Sequence, residues 1–175
     1  MASTHDYIAD KRNKDILIYI NGEFFHRSDA KVSVFDSGFL LGDGVWEGIR
    51  LHKNSLIHFD QHINRLYAGA DAIAMKIQLN KNELKDAVRL TLQKNEMHSD
   101  IHIRLIVSRG IKSTPYQHPK VTIGDPTIVI IPEYKKPNSE VFDIGIRLAS
   151  VKTKRDNLVQ DPKTVSYTHL TLPTT

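Results

Sequence analysis

The sequence predicts an α+β protein, on three observations. Short β-branched runs lie on both sides of a central region, two amphipathic helical periods follow each other within that region, and turn signals separate the pieces. No segment repeats, and the elements read as a meander of strands, two consecutive helices and two more strands.

Residues 1–14 are polar and read as a loose arm. Ile16-Leu-Ile-Tyr-Ile20 is a strand, and Asn21-Gly22 is a strong hairpin signal before Glu23-Phe24-Phe25. Val32–Phe35 reads as a short strand or extended segment entering the stretch Asp36–Arg65. That stretch holds GDGVWEGIR, whose glycine density suits unusual dihedrals or close approach to something bound better than an element interior. Val45–Leu51 alternates as a strand, Lys53-Asn54-Ser55 turns, and Leu56–Phe59 returns. Asp60 is placed as the N-cap of an amphipathic helix over 61–75, with Ile63, Leu66, Tyr67, Ala70, Ile73 and Ala74 at helical spacing.

Asn80 followed by Glu83 forms a capping box for a second helix running to about Asn95. In Ile101–Ser108 the residues Ile101, Ile103, Leu105 and Val107 share one face, and His102, Arg104, Ile106 and Ser108 the other. Gly110–Pro126 reads as a long loop, of a length that tends to be functional. Thr127–Ile131 is a strand, Tyr134–Glu140 has linker composition, and Phe142–Val151 alternates as the first strand of something new.

Composition narrows the function classes. At 175 residues the chain is one domain, or one small domain and part of another. No apolar run reaches the roughly 18 residues of a membrane span, and the N-terminus lacks a signal-peptide core. Without cysteine there is no disulfide or thiolate metal site, and a cytoplasmic protein is the default expectation. The net charge of +4 is scattered rather than gathered on one face, which argues against nucleic acid and suits an anionic ligand. No HxH or HExxH pattern marks a metal site, and GDGVWEG fails the GxGxxG fingerprint at Glu47.

Several residues have a bland and a chemical reading side by side. Arg65, placed in the first turn of helix 61–75, is either a solvated helix arginine or an anion clamp near a helix N-terminus. Arg104 interrupts an apolar strand, so it is either solvent-facing or set for a carboxylate, with His102 as a polar sheet neighbour. Trp46 reads as core. Glu47 and Arg50, three apart on a strand, point to opposite faces, one toward a site and the other toward solvent. Asp43 between two glycines reads as a turn former.

YINGEFF, VFDSGFLLGDGVWEGIR, FDQHINRL and HIRLIVSRG, in that order, closely resemble the fold-type IV pyridoxal-phosphate enzymes: branched-chain and D-amino-acid aminotransferases and aminodeoxychorismate lyase. RGIKSTPYQHP with PTIVIIPEYKKP resembles the branched-chain-aminotransferase-like branch, and the resemblance spans about residues 16–163. It implies that Arg65 holds the phosphate of pyridoxal 5'-phosphate. It implies also that Trp46 and Arg50 line the substrate pocket. Arg104 matches a residue near the substrate carboxylate, and His102 stands where relatives often carry tyrosine. The substrates implied are an amino acid, of the branched-chain L class, and a 2-oxo acid; the alternatives within the family are a D-amino-acid or (R)-amine transaminase, or an enzyme like aminodeoxychorismate lyase. The family has a small N-terminal α/β domain and a larger C-terminal domain, and its members are usually homodimers.

On that basis residues 1–134 are the N-terminal domain, 135–140 a linker, 141–164 the start of the C-terminal domain and 165–175 a non-native tail. Beyond Thr164 the sequence VSYTHLTLPTT resembles no family continuation. The Schiff-base lysine aligns near His169, and Lys163 falls too early. No catalytic residue is therefore assigned, and the chain reads as an inactive fragment truncated before that lysine. The competing reading is a short relative that binds a phosphorylated ligand or a partner without catalysis.

Overall fold

The computed structural model describes residues 9–136, with 139 and 143–145. The expected strand Phe142–Val151 (apart from Asp143, Ile144 and Gly145), Lys163 and residues 165–175 lie outside the described residues.

Eight strands and three α-helices are described in chain order. They are β1 (Leu17–Ile20), β2 (Glu23–His26), α1 (Ser37–Leu41), β3 (Gly44–His52), β4 (Ser55–Leu56), α2 (Phe59–Ala72), α3 (Lys81–Lys94), β5 (Ile101–Ser108), β6 (Ile111–Lys112), β7 (Thr122–Ile123) and β8 (Thr127–Tyr134). Six of them form one antiparallel sheet in the order β2-β1-β8-β5-β3-β4, and β6 and β7 form a separate hairpin.

The sheet has one covered face. Side chains alternate along a strand, so β3 sends Val45, Ile49 and Leu51 to the side where β5 sends Ile101, Ile103, Leu105 and Val107. Helices α2 and α3 pack there, with Phe59, Ile63, Leu66 and Ala70 from one and Leu84, Ala87, Val88 and Leu92 from the other. This apolar layer drives the fold. The opposite face carries Trp46, Gly48, Arg50, His102, Arg104 and Ile106.

The hairpin signal and the capping box hold. Asn21 and Gly22 both have positive φ (48° and 99°), as a two-residue hairpin requires, and Asn80 and Glu83 exchange both bonds of the box. Other expectations are corrected. The residue preceding α2 is His58, at φ 50° and without a capping side chain, whereas Asp60 lies inside the helix and pairs with Lys85 at 2.6 Å. Arg65 consequently sits in the second turn, away from the free N–H groups of the helix end.

Lys11–Asp15 is a 3-10 turn rather than a loose arm, because Asn13 exchanges two bonds with the backbone of Tyr134. Val32–Phe35 is not a strand; only Asp36 makes a bridge, to Ile111. The 110–126 segment is not plain loop, since it contains β6, β7 and a 3-10 turn at Pro119–Val121.

The strand expected over Val45–Leu51 is present as β3, whereas the glycines, expected outside element interiors, lie in or beside regular structure. Asp36 caps α1 by accepting from Gly38 N–H at 2.8 Å, and Gly42 ends it in the left-handed conformation at φ 66°. Gly44 and Gly48 lie within β3, where the need is close approach rather than unusual dihedrals.

Candidate active site on the two faces of β3

The site is built around one strand. Arg65, on α2, lies on the helix side; Trp46, Arg50, His102 and Arg104 lie together on the other side. Adjacent residues Trp46 and Glu47 join the two, because consecutive strand side chains point to opposite faces.

On the helix side Glu47 is fully buried. The sequence assigned it and Arg50 to opposite faces, which holds; the face opposite Arg50 is core, not solvent. Arg65 donates through Nε to Oε1 and through Nη2 to Oε2, both at 2.6 Å, and His62 Nδ1 lies 2.8 Å from Oε2. The Glu47 bond holds the Arg65 pKa above its usual value, against desolvation. Even so, the Arg65 side chain is 53% exposed. Neither Glu47 nor His62 was singled out as its partner from sequence. The available signal was a carboxylate in a run, Val45-x-Glu47-x-Ile49-x-Leu51, whose other members are apolar.

On the open side the Arg104 guanidinium stacks on Trp46, with its carbon 4.7 Å from the ring centre. Arg50 is the cross-strand partner of His102, and Gly48 that of Arg104. The missing side chain of Gly48 makes room for His102: a β-carbon there would lie 3.0 Å from Nε2. Burial, and then Lys135, Arg104 and Arg50, push the His102 pKa down, with Glu133 opposing. The imidazole is thus biased to its neutral form amid cations. Such a group of positive charges attracts a carboxylate. Beside it a cavity of ≈ 380 Å³ is lined chiefly by Ile18, Ile20, Phe39, Ile106, Val129 and Ile131.

The sheet order connects the faces. β4 pairs only with Leu51 and His52, so the Gly44–Ile49 part of β3 has no strand partner on that side among the described residues. Asp43, read as a turn former, accepts from Arg109 at 2.7 and 3.1 Å, and Arg109 also bonds the carbonyls of Ile73 and Ala74. That fork ties the start of β3 to the end of α2, and it was not legible in sequence. Among the described residues no three His, Asp or Glu side chains are grouped to hold a metal ion. No helix of the described residues is long and apolar enough to cross a membrane.

A family model described as amino-transferase class IV matches residues 44–173. The chain belongs to the class IV aminotransferases. A Methanocaldococcus jannaschii protein assigned as a branched-chain-amino-acid aminotransferase is 41% identical over 138 residues, covering 79% of this chain and 46% of that protein. D-alanine aminotransferase of Staphylococcus haemolyticus is 29% identical over 138 residues, covering 79% of this chain and 48% of its own length. The chain thus spans about half the length of these curated relatives. In structure it is similar to the branched-chain amino acid aminotransferase from Escherichia coli, with a TM-score of 0.61 and 26% identity over 69% of this chain and 41% of the other. The class IV aminotransferase sheet and its two covering helices are therefore the part of the family fold described above.

Proposed function

We propose that these residues form the small domain of an enzyme that moves an amino group from an amino acid to a 2-oxo acid with pyridoxal 5'-phosphate. Arg65 is the phosphate anchor in this reading. The supporting observation is its guanidinium, pinned along one edge by Glu47 and half exposed on the remainder, which suits a phosphate oxygen. Bound there, the cofactor supplies an electron sink for the bonds at the substrate α-carbon. The chain's own residues bind and orient.

Arg50 and Arg104 take the substrate carboxylate, with His102 between them as a neutral hydrogen-bonding group and Trp46 closing the pocket wall. The apolar cavity beside them suits a hydrocarbon side chain, which favours a branched-chain donor, and the 41% identity to a branched-chain-amino-acid aminotransferase supports the L form. The likeness to D-alanine aminotransferase supports a second reading, a D-amino acid donor, and the two differ in which hand of substrate the pocket accepts. The residue that holds the cofactor covalently is not assigned in this chain.

Exposed Val34, Phe35, Phe39, Ile111 and Ile123 support a homodimer. The Lys112 N–H bond to Phe35 O and the Asp36–Ile111 bridge join the two segments that carry them, and exposed apolar side chains so grouped are of the kind subunits bury. A cytoplasmic location goes with the cysteine-free composition.

The test is amino transfer by the full-length gene product, with pyridoxal 5'-phosphate, 2-oxoglutarate and a panel of donors. Fastest turnover with L-leucine, L-isoleucine or L-valine is expected. Preference for D-alanine selects the second reading, and transfer from no donor overturns the function.

A further inference from the structure

Glu47 stands where strand alternation calls for an aliphatic side chain. Val45, Ile49 and Leu51 on its face, and Leu105 opposite it, are all at most 4% exposed. A carboxylate in such surroundings is strongly disfavoured unless its charge and its hydrogen-bonding capacity are both met. Two residues of one helix, His62 and Arg65, meet it; spaced three apart, they project from the same side of α2. His62 Nδ1 lies nearer to Glu47 (2.8 Å) than to Arg65 Nη2 (3.2 Å). Arg65 carries donors only and Glu47 acceptors, so the geometry assigns the Nδ1 proton to a bond donated to Oε2.

The guanidinium is thereby divided. Its Nε–Nη2 edge is committed to Glu47, and Nη1 has no hydrogen bond among the described residues. We propose that Glu47 and His62 are positioning residues for phosphate recognition: Glu47 fixes the plane of the Arg65 guanidinium, His62 fixes Glu47, and the Nη1 side is presented at one angle. This rests on the reading of Arg65 as the cofactor phosphate anchor. Glu47 reduces the net positive charge at the site, so its contribution is orientation and not attraction. An arginine without it carries more charge toward a phosphate but spreads over many rotamers. The two effects have opposite signs, which makes them separable.

Trp46, the single tryptophan, neighbours Glu47 and reports binding by its fluorescence. The intact chain is titrated with pyridoxal 5'-phosphate and with pyridoxal; the ratio of the two affinities isolates the phosphate. Wild type is expected to prefer the phosphorylated form, and Arg65→Gln to abolish the preference. Glu47→Gln is expected to lower it about tenfold and His62→Gln about threefold, with pyridoxal binding unchanged. No preference in wild type, or a preference retained by Arg65→Gln, overturns the anchor reading. Loss in Arg65→Gln with an unchanged or increased preference in Glu47→Gln overturns the positioning role alone. Should Glu47→Gln fail to fold, His62→Gln decides, and an unchanged preference there overturns the proposal.

Discussion

A β-carbon added to Gly44 would lie 2.6 Å from the carbonyl oxygen of Val107, a backbone atom of the neighbouring strand. At Gly48 the corresponding obstacle is the Nε2 end of the His102 ring, at 3.0 Å. A side-chain end yields more readily than a hydrogen-bonded strand. Gly44→Ala is therefore expected to destabilise by about 3 kcal/mol and Gly48→Ala by about 1 kcal/mol, the two ends of the usual range for overpacking. Urea unfolding of both variants checks the order; equal costs would show that β3 and β5 separate freely.

Arg109 holds three partners at once: the Asp43 carboxylate and the carbonyls of Ile73 and Ala74. Removing it strands acceptors at the end of α2 and a partly buried carboxylate. Arg109→Ala should cost about 2–3 kcal/mol in denaturant unfolding, the range for leaving such groups unsatisfied. Arg109→Lys should recover little, because an ammonium cannot reproduce the two-point fork. Near-wild-type stability of the lysine variant would argue that charge alone suffices.

The lowered pKa of His102 has a definite sign in stability. Burial and the neighbouring Lys135, Arg104 and Arg50 disfavour the imidazolium in the folded chain, while in the unfolded chain it forms near the ordinary value. As pH falls through that ordinary value the unfolded state takes up a proton that the folded state refuses, so stability falls; the loss levels off below the folded pKa. His102→Gln should flatten this slope as pH falls through the ordinary imidazole value. An identical slope in wild type and variant, measured by urea unfolding at several pH values, would contradict the assignment.

Much of this was legible, and the residues show why. Ile101–Ser108 alternates so regularly that its two faces followed from the period of two, and His102 and Arg104 were placed on the same face from spacing alone. Asn80 and Glu83 carry their cap within four residues. By contrast, Asp43 and Arg109 are 66 positions apart, and nothing local announces their pairing. Gly38, Gly44 and Gly48 look alike in sequence, but a β-carbon on each would meet a different neighbour, supplied by β5. His58 starts α2 in a left-handed conformation that no capping preference points to. The charge of Glu47 masked its place in the apolar register; strand period alone would have put it in the core.

Lys112 is 2% exposed, and among the described residues its Nζ has no hydrogen-bond partner; the hydroxyl of Thr122, its cross-strand partner, is likewise buried without one among them. An ammonium so placed contributes desolvation without recompense. Lys112→Met, similar in length, is expected to raise stability by about 1 kcal/mol or more in urea unfolding. A drop of that size would show that Nζ is bonded in solution.

The central claim is that Arg65 faces the cofactor phosphate while Glu47 holds its other edge. The most direct measurement is ¹⁵N NMR of the arginine side chains of the intact chain, with Arg65→Gln identifying the resonance. Addition of pyridoxal 5'-phosphate should shift the Arg65 Nη signals, and equimolar pyridoxal should leave them in place. A guanidinium that responds equally to both compounds, or to neither, would contradict the account.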